Sequence, residues 1–490
     1  MGRFKIHDNE PKRVCVGCIG ENFLQKQIGV EAAGECSYCD EINAPRIDVE
    51  ELAIWVEEAF EGHYERTAEE PTAFEYAMHR DSEIDYDWER EGDPVLDVIS
   101  DIVGCEESIA SDVLEILNEK HDHRDPSDPY DECEFAFDSY YRRKKASSGD
   151  WDELWFRLEH ALKHESRLFN QEALTILNSV FAGLDKTRSR TKGLALVTAG
   201  PGKNISALYR AREFFSAKSL QSALVKPVEE LGPPPGRLAK AGRMNSSGIA
   251  VFYGALEVGS ALAEVRPVVG SNVVTAKFDI IRPINLLDLR ALVGLRCEGS
   301  IFDPRYAKEL ERHDFLQTLS KRLVLPVMPN EQDHEYLITQ AVADYLASLQ
   351  KPNIDGIIFP SVQDGVGVNV VLFHKAARVE SLGFPPSTDF SAQVVDYDPD
   401  TGADYPWYTL QIDQPADPTE NADFIFPFPN TYDWSQVHAK HREPCLKLDL
   451  QTLQVHAIKA VEVKAKAQNV MVRVDVARPN VKSPFSDNDF

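Results

Sequence analysis

The sequence has no run of about 18 uncharged apolar residues, the length that a membrane-crossing helix requires, so a membrane-spanning protein is not expected. Its opening residues, MGRFKIHDNEPKRV, lack the apolar stretch of a secretory leader; export is not expected and a cytoplasmic location is. Cysteine is scarce, with eight in 490 residues, too few and too unevenly spaced for a disulfide scaffold. No repeat recurs at a fixed period, and no low-complexity tract exceeds GPPPG at 232–236. Positive charge is also in short supply: Lys+Arg number 52 against 80 Asp+Glu, for a net charge of −28. The deficit is local, because residues 1–150 hold 39 acidic and 15 basic side chains (−24) and the other 340 hold 41 and 37 (−4). So acidic a segment repels phosphate backbones, which argues against nucleic-acid binding through it and suits solubility or a basic partner.

Four of the cysteines do form a pattern. Cys15, Cys18, Cys36 and Cys39 read C-x2-C-x17-C-x2-C, two thiolate pairs on short knuckles with a loop long enough to close them around a tetrahedral Zn²⁺. Four thiolates leave no open coordination position, so the expected role is structural. Cys105, Cys133, Cys297 and Cys445 are dispersed, as reduced thiols are.

The expected fold class is α+β, in four parts: a zinc knuckle over 1–45, an acidic helical domain over 46–190, a mixed α/β domain over 193–380 and a β-rich extension over 381–490. In 48–61, Leu52, Trp55, Val56, Ala59 and Phe60 recur at helical spacing; similar periodicity runs through 95–119, and 151–184 also reads as helix. The stretch 121–133 carries turn signals and reads as an exposed loop. Beyond 193, expected strands are Val251–Tyr253, Val273–Ile281, Gly356–Pro360 and Val366–Phe373, and expected helices are Leu256–Val265, Phe315–Arg322 and Tyr336–Leu349. Further strands are expected within 446–466 and at 470–476.

Three motif-like segments carry little. TAGPGKN (198–204) has Val197 and Asn204 where a Walker A loop needs Gly and a hydroxyl residue. DGVGVN (364–369) lacks the following helix of a dinucleotide fingerprint and reads as a hairpin turn. Arg157 and His164 mimic an R-x4–6-H ribonuclease arrangement of the HEPN class, but an exposed polar helix face explains them as well.

More informative are four blocks in fixed order: ALYRAREF with Arg210 and Arg212; GRMNSSGIAVFYGALEVGSALAEVRP with Arg243, Asn245, Tyr253 and Glu264; YLITQAVADYL with Thr339 and Gln340; and DGIIFPSVQDGVGVNVVLF with Ser361 and Asn369. Over about 170 residues they resemble the RES-domain family, which has an ADP-ribosyltransferase-like fold and includes NAD⁺-degrading bacterial toxins. The resemblance implies a toxin or defence effector that cleaves the nicotinamide–ribose bond, with inorganic phosphate as the first-ranked acceptor, water next and a macromolecule third. It implies Glu264, Arg210, Tyr253 and Ser361 as catalytic residues and Arg210, Arg243, Asn245, Tyr253 and Gln340 as contacts to NAD⁺, with Arg212 a rival for Arg210. It also implies an antitoxin or regulatory protein as partner, and leaves a homo-oligomer open; long forms with a HEPN-associated helical front resemble this chain more than the short toxins do.

The residue types suit that chemistry. Arg offers a planar fork of donors, charged at any working pH, to two phosphates. Nicotinamide is already a cationic leaving group, so the reaction needs a carboxylate facing an oxocarbenium-like ribose more than a strong general acid. Taken singly, the same residues read as surface charges, a core aromatic, an ion pair of Glu264 with Arg266 and a turn serine. Competition of the acidic front with substrate phosphates is a further expectation, under which removal of residues 1–150 raises activity. The other class of reading is an interaction module that binds nucleotide without turnover.

Overall fold

The computed structural model describes residues 11–29, 33–71, 76, 90–122, 133–144, 148–295, 297–325, 327–385, 387–398, 400, 403–415, 442–462, 466–468 and 470–471. Most of the expected loop at 121–133 and of the expected strand at 470–476 lies outside them. No helix among the described residues is long and apolar enough to cross a membrane.

In the front part, the apolar spacing of 48–61 becomes helix α1 (Val49–His63), which buries Leu52, Val56, Ala59 and Phe60. The periodicity over 95–119 breaks at Gly104, whose φ of 68° favours glycine, and gives two helices, α2 (Val95–Val103) and α3 (Glu107–His121). These helices share one hydrophobic core with Val14, Ile19 and Leu24 from the cysteine-rich start and with Phe135 and Tyr141.

Residues 14–141 form one core, whereas α4 (Gly149–His160) and α5 (Gln171–Val180) turn Trp155, Leu158, Ile176 and Val180 toward Phe315, Leu316 and Leu346 of the following domain. The physical reason is the apolar stripe of 151–184, which is buried against helices α8 (Pro304–Arg322) and α9 (Gln332–Ser348). The front part meets this domain where Ile301 and Phe302 pack against its core and the rings of His63 and Tyr306 stand 5.7 Å apart.

The rest is mixed α/β around a large sheet. In chain order its strands are β1 (Leu196–Ala199), β2 (Ala207–Phe214), β3 (Phe252–Ala255), β4 (Asn272–Ile280), β5 (Ile284–Asp288), β6 (Gly356–Pro360) and β7 (Val368–Leu372). After the hairpin β8 (Asp389–Asp398) and β9 (Ala403–Asp413) comes β10 (Leu446–Ala457). The sheet order is β10-β4-β2-β3-β7-β6-β5-β1, and every neighbouring pair is antiparallel except β5 and β6. The carboxy-terminal part is thus β-rich, but β10 belongs to the main sheet, as the edge strand paired with β4.

Alternation along the strands fills two cores. Ile357 and Val371 face α4, α5, α8 and α9, while Ile358, Val370 and Leu372 face Phe252, Phe278 and helix α6 (Ala217–Val225). One seam is incomplete. Strand β2 pairs with β4 along its whole length, from Ala207 opposite Asp279 to Phe214 opposite Asn272, but pairs with β3 only at Tyr209 and Ala255. At this crossing the backbones are so close that a Cβ on Gly254 would lie 2.9 Å from the Phe252 ring and 3.1 Å from the Tyr209 carbonyl oxygen.

Candidate functional site

Where β2 and β3 part, a cavity of about 380 Å³ opens, a size suited to a small molecule. Arg210 of β2, Arg243, Tyr253 of β3, Glu264 at the end of helix α7 (Val258–Glu264), Arg266 and Asn369 of β7 all line it. Arg210, Arg243, Tyr253 and Glu264, which lie up to 54 positions apart in the chain, therefore share one cavity.

Arg243 is presented by a turn closed by the Gly242 N–H donating to the Asn245 carbonyl at 2.9 Å. Gly242 has no room for a side chain, since a Cβ would stand 2.6 Å from Asn245 Oδ1 and 2.9 Å from the Tyr253 hydroxyl. The Asn245 amide donates to the carbonyls of Lys240 and Ile249, each at 3.0 Å, and Gln340 Nε2 donates to the Gly242 carbonyl at 2.8 Å. Asn245 and Gln340, expected to contact the cofactor, do not line the cavity; their polar atoms hold the turn that aims Arg243. The Tyr253 hydroxyl is committed to the same turn, donating to Asn245 Oδ1 at 3.1 Å and accepting from the Met244 N–H at 3.0 Å. Burial raises this phenol to about 12, so it stays neutral, and its ring is the part left to the cavity.

Arg210 is half-buried, with its guanidinium carbon 4.9 Å from the centre of the Phe252 ring. Burial first, and the charge of Arg212 second, pull its pKa down to about 10, which still leaves a cation at neutral pH. Its Nη1 is buried with no hydrogen-bond partner, a costly condition that an acceptor on a ligand would relieve. Arg212, the rival, pairs with Glu230 at 2.8 Å and does not line the cavity. Arg243 donates Nη1 to the Leu323 carbonyl at 3.0 Å and lies over the Tyr336 ring at 5.3 Å, which fixes its plane.

Glu264 is exposed to the cavity, and its Oε1 is held by two donors, the Ser361 hydroxyl at 2.8 Å and Asn369 Nδ2 at 2.7 Å. No ion pair joins it to Arg266 among the described residues. Ser361, expected to be catalytic, is buried and absent from the cavity lining, and its hydroxyl is bonded to the Glu264 carboxylate. In the sequence alone, Asn369 and Tyr336 carry no assigned role and Arg266 is only an ion-pair partner of Glu264. For Asn369 a signal was available, a polar amide amid the valines of VGVNVV in a strand buried on both faces.

Arg157 pairs with Glu172, and the His164 ring lies tilted against that of His160, ring centres 5.1 Å apart. None of the described residues of 1–150 lines the cavity.

The four front cysteines form a separate candidate metal centre. Their Sγ atoms all lie within 4.8 Å of one another, with Cys15–Cys18 at 3.7 Å, Cys15–Cys39 at 3.6 Å and Cys18–Cys36 at 4.0 Å. A tetrahedron with Zn–S bonds of about 2.3 Å has edges of about 3.8 Å, so the donor set fits zinc. Against burial, which would raise it, the backbone N–H groups of Tyr38, Cys15 and Cys39 bring the Cys36 thiol down to about 7, toward the thiolate that a metal requires.

Residues 207–399 match the family model described as RES domain. No curated protein and no solved structure matches the chain.

Proposed function

With a RES domain spanning residues 207–399 and enclosing this cavity, we propose that the protein degrades NAD⁺ by breaking the bond between nicotinamide and ribose, as a toxin or defence effector, on an ADP-ribosyltransferase-like arrangement of strands. The observation that carries the reading is the convergence, in one cavity, of a fixed carboxylate with three guanidinium groups, those of Arg210, Arg243 and Arg266. Arg210 and Arg243 take the pyrophosphate; the Tyr253 ring lies along the nicotinamide. Glu264 faces the ribose and stabilises the positive charge that develops as the C–N bond breaks and its electron pair leaves on the nicotinamide nitrogen. Neutral nicotinamide departs without protonation, so the absence of a strong acid from this constellation is no obstacle.

Phosphate is the favoured acceptor. A second anion beside the pyrophosphate needs extra positive charge, and Arg266 supplies it: it lines the cavity, has no ion-pair partner among the described residues and sits at a φ of 47°, an uncommon backbone state for a non-glycine residue. A phosphate dianion bonds to the ribose C1′ through one oxygen, giving ADP-ribose 1″-phosphate with no proton to remove; water in the same place would have to lose one.

The test is to incubate the purified protein with NAD⁺ with and without phosphate and to follow nicotinamide and the ribosyl product by chromatography. Expected is release that rises and saturates with phosphate, and an Arg266→Ala variant whose KM for phosphate rises by about tenfold, the size of one charge-assisted contact. Equal release without phosphate would make water the acceptor. Binding without release would favour a nucleotide-binding module instead.

A further inference from the structure

Two residues that line the cavity each carry a buried polar atom with no partner among the described residues, one a donor and one an acceptor. The donor is Nη1 of Arg210; the acceptor is Oδ1 of Asn369. Asn369 is only 4% exposed, and the orientation of its amide is fixed by chemistry: Glu264 Oε1 can only accept, so the atom 2.7 Å from it is the Nδ2 donor. Oδ1 is therefore left facing other surroundings, in a residue that lines the cavity, without a hydrogen to accept. A native protein rarely leaves such an atom unsatisfied unless an ordered water, an ion or a ligand completes it.

We infer that Asn369 is both a positioning and a recognition residue: Nδ2 orients the carboxylate of Glu264, and Oδ1 accepts a hydrogen bond from a hydroxyl of the ribose whose bond is broken. This rests on the NAD⁺ reading above. The two amide atoms are bonded to one carbon, so whatever meets Oδ1 lies next to whatever faces Glu264; on a ribose approached by that carboxylate, the neighbouring donor is a ring hydroxyl. The same ligand meets the opposite need at Arg210, where a phosphate oxygen accepts from Nη1.

Two substitutions separate the two roles. Asn369→Leu keeps the volume and removes both atoms; kcat for nicotinamide release is expected to fall about a hundredfold at every pH, the cost of a misplaced reacting group, and KM for NAD⁺ to rise about five- to tenfold. Asn369→Asp keeps an acceptor and exchanges the donor for a carboxyl beside Glu264. Two adjacent carboxylates cannot both ionise cheaply, so one of their pKa values is raised. Below it, the single shared proton lets Asp O–H replace the lost N–H; above it, two charges repel and turn Glu264 aside. The kcat of Asn369→Asp should thus lie within about tenfold of wild type near pH 5.5 and fall about a hundredfold below it by pH 8.5, with KM changed less than about threefold. Arg210, Arg243 and Arg266 in the cavity and Asp364 beside Ser260 are common to both proteins, so the new descending limb is read against wild type.

Melting curves establish that the variants fold. A readout free of mutation is wild-type affinity for NAD⁺ lacking the 2′- or the 3′-hydroxyl on the nicotinamide ribose, one of which should bind about five- to tenfold more weakly. Parallel pH profiles for wild type and Asn369→Asp, or full affinity for both deoxy analogues, would overturn the assignment while leaving NAD⁺ cleavage intact. A wild-type protein that releases no nicotinamide would remove the NAD⁺ reading itself, and this inference with it.

Discussion

Replacing Glu264 by Gln is expected to lower kcat for nicotinamide release by about a thousandfold, while the dissociation constant for NAD⁺ changes less than about threefold. The side-chain amide keeps the length and plane of the carboxylate, and its oxygen can still accept from Ser361 and Asn369, which hold Glu264 Oε1 at 2.8 and 2.7 Å. What it loses is the negative charge opposite a ribose that becomes positive only as the bond breaks. The difference therefore falls on the transition state and not on binding. Single-turnover release with saturating enzyme, alongside calorimetric binding of NAD⁺, separates the two quantities. Turnover within a few-fold of wild type would show that the carboxylate is a bystander and that the guanidinium groups alone activate the bond.

A change as large, but in stability, is expected at the cysteine cluster. Metal analysis of purified protein should find one zinc per chain, and chelation or a Cys36→Ser substitution should loosen the front part. Structural zinc in small folds contributes on the order of 10–16 kcal/mol of apparent binding free energy, well above what one short hydrophobic core can replace. Here Val14, Ile19 and Leu24, which flank the ligands in sequence, are shared with the core of α1–α3, so the loss should spread as an early-melting step and as protease sensitivity within 11–141. Nicotinamide release should persist, because no described residue of that part lines the cavity. Zinc well below one equivalent, or turnover that disappears in step with the metal, would count against a purely structural centre.

The sequence made several of these features legible for physical reasons, and hid others for reasons equally physical. Strand Gly356–Pro360 and helix α9 stand close to where an apolar run and helical spacing placed them, because a run of apolar residues must be buried and leaves little choice. Strand β5 (Ile284–Asp288) and the hairpin β8–β9 were missed: β5 is short and follows a proline, and the hairpin carries its apolar residues among aspartates and prolines that read as loop. The order of the four blocks led to Arg210, Arg243, Tyr253 and Glu264. It could not reveal that the Tyr253 hydroxyl and the Asn245 and Gln340 amides face inward to build one turn, since a residue that binds a ligand and one that binds a backbone carbonyl look alike in a string. For helices α4 and α5, likewise, an amphipathic pattern shows that a helix has an apolar face but not which core receives it.

The near-crossing of β2 and β3 at Tyr209 and Ala255 sets a limit on how this protein can be improved. A closed ladder there would add hydrogen bonds and packing, and selection for thermostability alone would favour it, yet each added rung would fill the cavity that opens between the two strands. Variants hardened along that seam should be the ones in which robustness and activity part company.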